Sequence, residues 1–320
     1  MTRGARLSVV MPVRDAAPFL EAAVGSVFAQ TWPDIELIAV DDGSTDGSHA
    51  LLERLAAGWT GPGRRMILRR QETRGPSAAR NAGVEAASGA LIAFFDADDV
   101  FHPTLAARLI EALEPEPELD LVFALYRYVG PDGERLGTQP APARARPAPK
   151  DLLKDNLVHA PLFRARAWEV AGPLDPGLQA HEDLDFFARL LLRRPGAIGV
   201  VDAVLSDYRR RPGQITQDWR RMRRNWARAF AKLRREGVRL SKGERREVRA
   251  RLSLYWGTLA YHAGEHEAAR RLVAAAWRAD PRGLAGDPHA WIRAAACLTT
   301  LLPHGLHDAV RRRVNARLAA

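Results

Sequence analysis

The sequence predicts an α/β protein with an open, mostly parallel sheet that carries helices on both faces, followed by an α-helical C-terminal extension. Short apolar runs alternate with segments of helical periodicity at least three times in the first half. This order produces parallel strands joined by right-handed crossovers. The apolar runs end in polar residues, as they do where such a sheet places its ligands. After Gly213 the chain becomes helical and rich in arginine.

The first two predicted strands lead into polar loops. They are Leu7 to Pro12 and Ile35 to Val40, and the second runs directly into DDGSTDGS. There Gly43 and Gly47 permit a tight turn, and Asp46 is placed to cap the next helix. The other predicted elements are helices at Ala16 to Gln30, Ser48 to Ala57, Ser77 to Ala87 and Asp183 to Arg194, and strands at Met66 to Leu68, Asp120 to Tyr128 and Ala197 to Leu205.

The stretch Leu91 to Asp99, LIAFFDADD, is an apolar strand that stops in the three carboxylates of Asp96, Asp98 and Asp99. Carboxylates this close repel one another, which shifts them toward protonation unless a positive group lies among them. A hard divalent cation carrying a diphosphate would meet that need. The alternative is a solvated turn or a helix N-cap ahead of Pro103.

Composition limits the function classes. The 320 residues are 47% hydrophobic, which is typical of a soluble globular protein. No run approaches the roughly 18 apolar residues of a membrane span, and the N-terminus MTRGARLSVV lacks an apolar signal segment. We therefore expect a cytoplasmic protein. The single cysteine, Cys297, excludes an internal disulfide and a cysteine-based zinc site.

Charge suggests two parts, residues 1–212 and residues 213–320. Residues 206–320 hold 26 Lys and Arg against 10 Asp and Glu, whereas the rest of the chain is net acidic. The basic part predicts contact with an anionic surface, such as the inner face of a membrane, or simply a solvated helix face. Within it, Tyr255 to Pro281 is spaced like one tetratricopeptide repeat, which predicts a helical hairpin. Gly130 to Lys150, rich in Pro, Ala and Arg, predicts an exposed loop.

Three segments in order resemble the family 2 glycosyltransferases, which have the Rossmann-like GT-A fold. They are MPVRDAAPFLEAAVGSVFAQTWPDIELIAVDDGSTDGS, GPSAARNAGVEAASGALIAFFDADD and HEDLDFFARL, and the resemblance covers about residues 6–212. It implies an inverting single displacement, with Mg²⁺ or Mn²⁺, from a nucleotide-diphosphate sugar. A UDP-sugar is the expected donor, and a hydroxyl of a glycan or lipid-linked saccharide is the expected acceptor.

The resemblance also implies donor-binding residues. Asp42 matches a carboxylate that accepts the N3 proton of a uracil. Arg80 matches a basic residue that lies over the base or the phosphates, and Asp96 matches a residue that binds the ribose. Arg80 has a structural alternative, pairing with Glu85 or lying in solvent. Asp15, the likeliest side-chain contact of the first loop, has the alternative of capping a helix. The loop residues expected along the nucleotide are Pro12, Val13, Arg14 and Asp15.

The remaining implied roles belong to the metal and the general base. Asp98 is the expected main metal ligand, with Asp99 as the alternative ligand and Asp96 on the ribose or a metal-bound water. Asp183 matches the base that deprotonates the acceptor hydroxyl, and Glu182 beside it is placed on the acceptor side. Paired acids raise one pKa while a helix N-terminus lowers it, and the sequence leaves open which effect prevails.

One segment departs from the family pattern. Where many relatives have Tyr-Arg-x-His, with a histidine that reaches the metal or diphosphate, this chain has Tyr208, Arg209, Arg210 and Arg211. Arginine cannot ligate a metal but can neutralise a diphosphate, which makes Arg211 a candidate donor ligand. The other histidines are predicted to be surface or core residues, because they lack ligand partners at recognisable spacing; they include His159, His181, His262 and His266.

Other functions explain less of the sequence. A non-catalytic relative that binds membrane or nucleic acid through its basic helices would be expected to lose the acids, yet all of them are present. Nucleic acid is disfavoured, because the aromatics of the basic part sit at helix-packing positions. A nucleotidyltransferase would need a glycine-rich phosphate loop, which MPVRDAAP does not provide. An aspartyl-phosphate receiver would leave the Glu182–Asp183 pair unexplained. The sugar, the nucleotide, the acceptor, the linkage and the oligomeric state stay open.

Overall fold

A computed structural model describes residues 4–59, 61–138, 145–154 and 158–299. Its strands form one sheet in the order β3-β2-β1-β4-β8-β6-β9-β5, with β7 paired to β6 at the side. The strands are β1 Leu7–Val13, β2 Ile35–Asp41, β3 Arg64–Arg70, β4 Leu91–Phe94, β5 Val100–Phe101, β6 Leu121–Val129, β7 Arg135–Thr138, β8 Leu162–Arg164 and β9 Ile198–Arg209.

The first four strands are parallel, as the alternation predicts, and β6 pairs in parallel with β9. The short strands β5, β7 and β8 pair antiparallel. The helices of this part are α1 Ala17–Phe28, α2 Ser48–Gly58, α3 Pro76–Glu85, α4 Leu105–Leu113, α5 Pro149–Lys154, α6 Ala165–Ala171 and α7 Glu182–Arg193.

The central strands are covered by helices on both faces, because their side chains alternate between two apolar layers. On β1, Val9 and Met11 pack with α1, α2 and α4, whereas Val10 packs on the other face with α3 and α7. Gly83 of α3 lies so close to Val10 that a Cβ there would approach its Cγ1 to 2.3 Å. Close packing of α3 on β1 therefore depends on a residue without a side chain.

The chain after residue 212 continues as helices packed on the same face as α7. They are α8 Trp219–Arg235, α9 Lys242–His262, α10 His266–Ala279, α11 Pro281–Ala285 and α12 Pro288–Thr299. Buried side chains of α8 to α10 join one continuous apolar cluster with α7 and the sheet. α9 and α10 pack as a hairpin about a turn at Gly264, whose φ is +76°. The division of the chain at residue 212 stays a prediction.

The structure bears on two further expectations from the sequence, an exposed loop over Gly130 to Lys150 and the lack of a membrane span. The expectation of an irregular loop over Gly130 to Lys150 was wrong at Arg135–Thr138, which form β7, and at its end, where α5 begins. Residues 139–144 of that segment, and the basic segment Leu306 to Ala320, lie outside the described residues. Within the described residues, no helix has both the length and the apolar character needed to cross a bilayer.

Candidate functional site

The candidate site lies where the carboxyl ends of β1, β2 and β4 meet the start of α7 and the end of β9. Three sets of polar side chains come together there from segments far apart in the sequence. Asp96, Asp98 and Asp99 follow β4, Glu182 and Asp183 open α7, and Arg209 and Arg211 end the last strand. The sheet topology thus assembles the acids that the sequence singled out.

The first loop is held against the turn that follows β2. Asp15 has a left-handed backbone with φ of 46°, which aspartate tolerates better than most residues. Its Oδ1 accepts from the Thr45 backbone N–H at 2.8 Å, and that hydrogen bond lowers the pKa of Asp15. Arg14 donates from Nη1 to the Asp42 carbonyl oxygen at 2.9 Å. Asp15 therefore fixes this loop and does not cap α1, whose N-cap residue is Ala16.

Asp42 is 4% exposed and orders the segment after β3. Its Oδ1 accepts from the Arg74 backbone N–H at 2.8 Å and from Nε2 of Gln71 at 2.7 Å, and its Oδ2 accepts from the Gly75 N–H at 2.9 Å. Next to it, Gly43 has φ of +72°, and a Cβ there would lie 2.7 Å from Oγ1 of Thr73. These contacts therefore hold the turn after β2 and the segment after β3 in one arrangement.

Arg80 joins the acid cluster to α7. Its Nη2 donates to Oδ1 of Asp96 at 2.6 Å and its Nη1 to Oε1 of Glu182 at 2.8 Å. Although burial acts to raise the pKa of Asp96, the Arg80 charge holds it below its usual value. Arg80 therefore lies in the site, and its sequence-level alternatives, a pair with Glu85 or free solvent, were wrong.

The start of α7 carries two acids of different character. Burial and the neighbouring Asp183 charge raise the pKa of Glu182 to about 7, although Arg80 acts to lower it. Asp183 is half-buried, and its Oδ1 accepts from the Leu184 N–H at 2.7 Å. His181 precedes them with a left-handed φ of 61°, and burial lowers its pKa. At Glu182 the effects that raise the pKa outweigh those that lower it. This answers the question that the sequence left open.

Asp98, the predicted main metal ligand, is paired with arginine. Its Oδ2 accepts from Nε of Arg211 at 2.8 Å and from Nε2 of Gln214 at 3.2 Å. The Asp98 carbonyl oxygen accepts from Nε of Arg209 at 3.0 Å. This carboxylate is already neutralised by a side chain of the chain itself.

Asp99 is 1% exposed and faces a histidine that the sequence did not assign to the site. Its Oδ1 accepts from the Arg209 backbone N–H at 2.7 Å. Its Oδ2 lies 3.4 Å from Nε2 of His159, which is 8% exposed, and neither atom has a hydrogen-bond partner among the described residues. Burial, then the charges of Asp98 and Asp96, raise the pKa of Asp99, while burial lowers that of His159 to about 4.

Ligand atoms of Asp96, Asp99 and His159 lie within 4.8 Å of one another. Two of these atoms are buried and unpartnered, which costs free energy unless a cation or a proton lies between them. One imidazole nitrogen and two carboxylates are a donor set that suits a divalent metal ion. The expectation that His159 is only a core or surface residue was therefore incomplete: it is buried, but against the acid cluster. No local spacing could have revealed this, because His159 lies 60 residues beyond Asp99.

Two tyrosine rings contact the imidazole of His159. The ring centroids of Tyr126 and Tyr208 lie 4.9 and 5.2 Å from that of His159. Tyr128 stands opposite Tyr208 on the neighbouring strand and lies 5.1 Å from Tyr126. These rings, packed mostly edge to face, restrict the orientation of the imidazole.

The sequence matches known proteins over its first part. Residues 8–165 match the family model for glycosyl transferase family 2. An uncharacterised glycosyltransferase of Bacillus subtilis, EpsJ, is 30% identical over 66% of this chain and 63% of its own length. The putative teichuronic acid biosynthesis glycosyltransferase TuaG of the same organism is 26% identical over 69% and 85%. The chain spans 63%, 47% and 32% of three of its curated relatives.

Two solved structures resemble the whole described fold. The mannosyltransferase PcManGT of Pyrobaculum calidifontis, in complex with GDP-Man and Mn²⁺, has a TM-score of 0.63 and 19% identity over 98% of this chain and 86% of its own. TarS of S. aureus, residues 1–349 in complex with UDP-GlcNAc, has a TM-score of 0.52 and 16% identity over 95% and 83%. At these identities the likeness establishes the fold, which is GT-A.

Proposed function

We propose that the protein, whose residues 8–165 match the family model for glycosyl transferase family 2, moves a sugar from a nucleotide-diphosphate sugar to a hydroxyl of a glycan or lipid-linked acceptor. One observation carries the proposal: Arg80 ties the acids at the end of β4 to the acids that open α7. A donor-side cluster and a candidate base thereby share one fixed cleft.

Donor binding is assigned to the residues around the ends of β1 and β2. Asp42 has one oxygen, Oδ2, that accepts a single hydrogen bond, which leaves it able to accept from the N3–H of a uracil. We assign Asp96 to the ribose, and the ordered backbone of the first loop to the nucleotide. The loop residues proposed here are Pro12, Val13, Arg14 and Asp15. A UDP-sugar is our first choice of donor.

The residues at the end of β4 fit a divalent cation, with Asp99 and His159 supplying the two unpartnered ligand atoms. Asp98, which we expected as the main ligand, holds Arg211 through Oδ2, so it would serve through Oδ1 or by releasing Arg211. When bound, Mg²⁺ or Mn²⁺ would neutralise the negative charge that develops on the departing nucleoside diphosphate. Asp96, whose ligand atom lies within 4.8 Å of those of Asp99 and His159, would contact a water on this ion.

Asp183 is our proposed general base. It is half-buried at the start of α7, next to Glu182, whose raised pKa marks a poorly solvated region on the acceptor side. In an inverting displacement, the acceptor hydroxyl gives its proton to this carboxylate while its oxygen attacks the anomeric carbon from the face opposite the leaving diphosphate. Arg80 holds Glu182 through a hydrogen bond of 2.8 Å to its Oε1.

The donor proposal is tested by measuring the binding of UDP, GDP and a panel of nucleotide sugars. Thermal unfolding and calorimetry are the two measurements. We expect one nucleotide sugar to raise the melting temperature, and Asp96→Asn to reduce that shift. Asp202→Asn is the matched control, because Asp202 is an exposed carboxylate on β9. If no nucleotide or nucleotide sugar binds in the presence or absence of Mn²⁺, the transferase proposal is wrong.

We also propose that α8 rests on an anionic membrane surface, which would bring a lipid-linked acceptor to the site. Arg224, Arg228, Arg234 and Arg235 are exposed on this helix, and no carboxylate lies within ion-pair distance of them among the described residues. Such a cluster attracts acidic headgroups by roughly 1 kcal/mol per cation at low salt. Sedimentation with phosphatidylglycerol vesicles tests this; binding that equals binding to neutral phosphatidylcholine vesicles would contradict it.

A further inference from the structure

The guanidinium of Arg211 is held at the acid cluster with most of its hydrogen-bonding capacity unused. Only Nε is engaged, on Oδ2 of Asp98, and the guanidinium carbon lies 5.3 Å from the centroid of the Phe19 ring. The four N–H groups of its two Nη atoms have no acceptor among the described residues. The side chain is 25% exposed, so a ligand can reach it.

Three other arginines of the cleft use most of their side-chain donors in hydrogen bonds within the protein. Arg80 donates from Nη2 to Asp96 and from Nη1 to Glu182. Arg14 uses Nη1 on the Asp42 carbonyl and Nε on Asp15. Arg209 uses Nε on the Asp98 carbonyl, and its Nη1 donates to the carbonyls of residues 130 and 131. Of these four arginines, Arg211 alone keeps both Nη groups for a ligand.

Arg211 is also fixed in place. The backbone N–H of Arg211 donates to Oε1 of Gln214 at 3.3 Å, and Nε2 of Gln214 bonds the same Asp98 oxygen and the Arg209 carbonyl. Nε2 of Gln217 donates to the Arg211 carbonyl at 2.8 Å. A planar cation anchored through Nε presents its Nη edge in the fork geometry that suits two phosphate oxygens.

We propose that Arg211 is the cation that binds the donor's diphosphate beside Asp98, a place where a metal ion bridging Asp98 to the phosphates was expected. The inference rests on the proposed transferase function. An anionic diphosphate cannot approach three clustered carboxylates without a cation between them. Arg211 supplies that cation as part of the chain, so diphosphate binding does not require Asp98 to hold a metal.

The test is calorimetry of UDP and of uridine, each with EDTA and with Mn²⁺. We expect wild type to bind UDP in EDTA. Arg211→Met should weaken UDP binding about ten- to a hundredfold, the scale of charge-assisted hydrogen bonds, and leave uridine binding unchanged. Arg211→Lys, which keeps the charge but loses the fork, should fall between. Arg210→Met is the matched control, because Arg210 is the next residue and lies over the Tyr128 ring.

Unchanged UDP affinity in Arg211→Met would overturn the inference, as would wild-type binding that EDTA abolishes. Both results leave the donor proposal intact, because UDP still binds in Mn²⁺. Arg211→His adds a second criterion: it should lose UDP binding in EDTA and recover it in Mn²⁺. Thermal unfolding of each variant without ligand separates a lost contact from a lost fold. Absence of any UDP or GDP binding by wild type would instead overturn the proposed function itself.

Discussion

Nε2 of His159 lies 3.4 Å from Oδ2 of Asp99, and both atoms are buried without another hydrogen-bond partner among the described residues. A buried carboxylate oxygen and a buried imidazole nitrogen this close stabilise each other only when a proton or a cation lies between them. The two residues come from different connections of the sheet, so the fold, not the local sequence, creates this pair.

If the pair binds a cation, His159→Gln should lower Mn²⁺ affinity by at least about tenfold. Calorimetry gives the affinity, and pulsed electron paramagnetic resonance of bound Mn²⁺ should lose its imidazole nitrogen coupling. His102→Gln is the control, because His102 is exposed and contacts Thr104. Loss of Mn²⁺ binding in Asp98→Asn with full retention in His159→Gln would contradict this assignment.

Asp183→Asn should lower kcat about 10²- to 10⁴-fold, the usual effect of removing a general base. The donor affinity should change little, because Asp183 is placed on the acceptor side. Steady-state kinetics with the identified donor and acceptor, together with calorimetry of the donor, measure both. A variant that keeps its kcat, or that loses donor binding in proportion to rate, would rule out the base role.

Removal of Arg80 should destabilise the fold as well as the site. Arg80→Met leaves Asp96 and the buried Glu182 without their cation, and breaking such a buried pair costs about 3–5 kcal/mol. Urea unfolding measures the loss. Adding Glu182→Gln to Arg80→Met should recover part of it, because one unpaired charge is then gone; strictly additive losses would show that Arg80 and Glu182 do not interact.

The buried Glu182 should give the protein a pH-dependent stability. Its pKa is raised from 4.5 to about 7 on folding, so between these values the folded state binds more protons than the unfolded state. The free energy of unfolding should therefore fall as the pH rises through this range, by up to about 3 kcal/mol from this group. Glu182→Gln should flatten the curve measured from pH 5 to pH 8, and Glu118→Gln, an exposed control, should not.

Lys232 should contribute to the docking of α8 on α7. Its Nζ lies 2.9 Å from Oδ2 of Asp175 and 2.9 Å from Oδ2 of the fully buried Asp185. Lys232→Met removes two charge-assisted hydrogen bonds and should cost about 2–3 kcal/mol. Lys242→Met is the control, at the exposed start of α9. Equal urea midpoints for the two variants would show that Lys232 does not hold the helices together.

The parallel half of the fold was predictable from the sequence, because buried parallel strands are continuous apolar runs. β1, β2 and β4 stand within a few residues of their predicted bounds, and the acids after β4 lie at the sheet edge as expected. β5, β7 and β8 were not predicted. They have two to four residues each, too few to show a period, and tertiary pairing alone makes them strands.

The partners within the site were harder to predict than its members. The acids were predictable from order and spacing, but the pairing of Asp98 with Arg211 and of Asp99 with His159 depends on side-chain positions after folding. Arg80 shows the same limit: its place in the site was predicted, whereas its two carboxylate partners come from β4 and α7. Long-range ion pairs of this kind have no periodic signal.

The contact between Lys232 and Asp185 ties the basic helices to the helix that begins with Glu182 and Asp183. The C-terminal part is therefore not a detachable module. A chimeric enzyme that took its C-terminal helices from another relative would leave Asp185 facing a foreign surface. Such an exchange would leave Asp185 with Arg189 as its partner on α7, and without the cation that reaches it from α8.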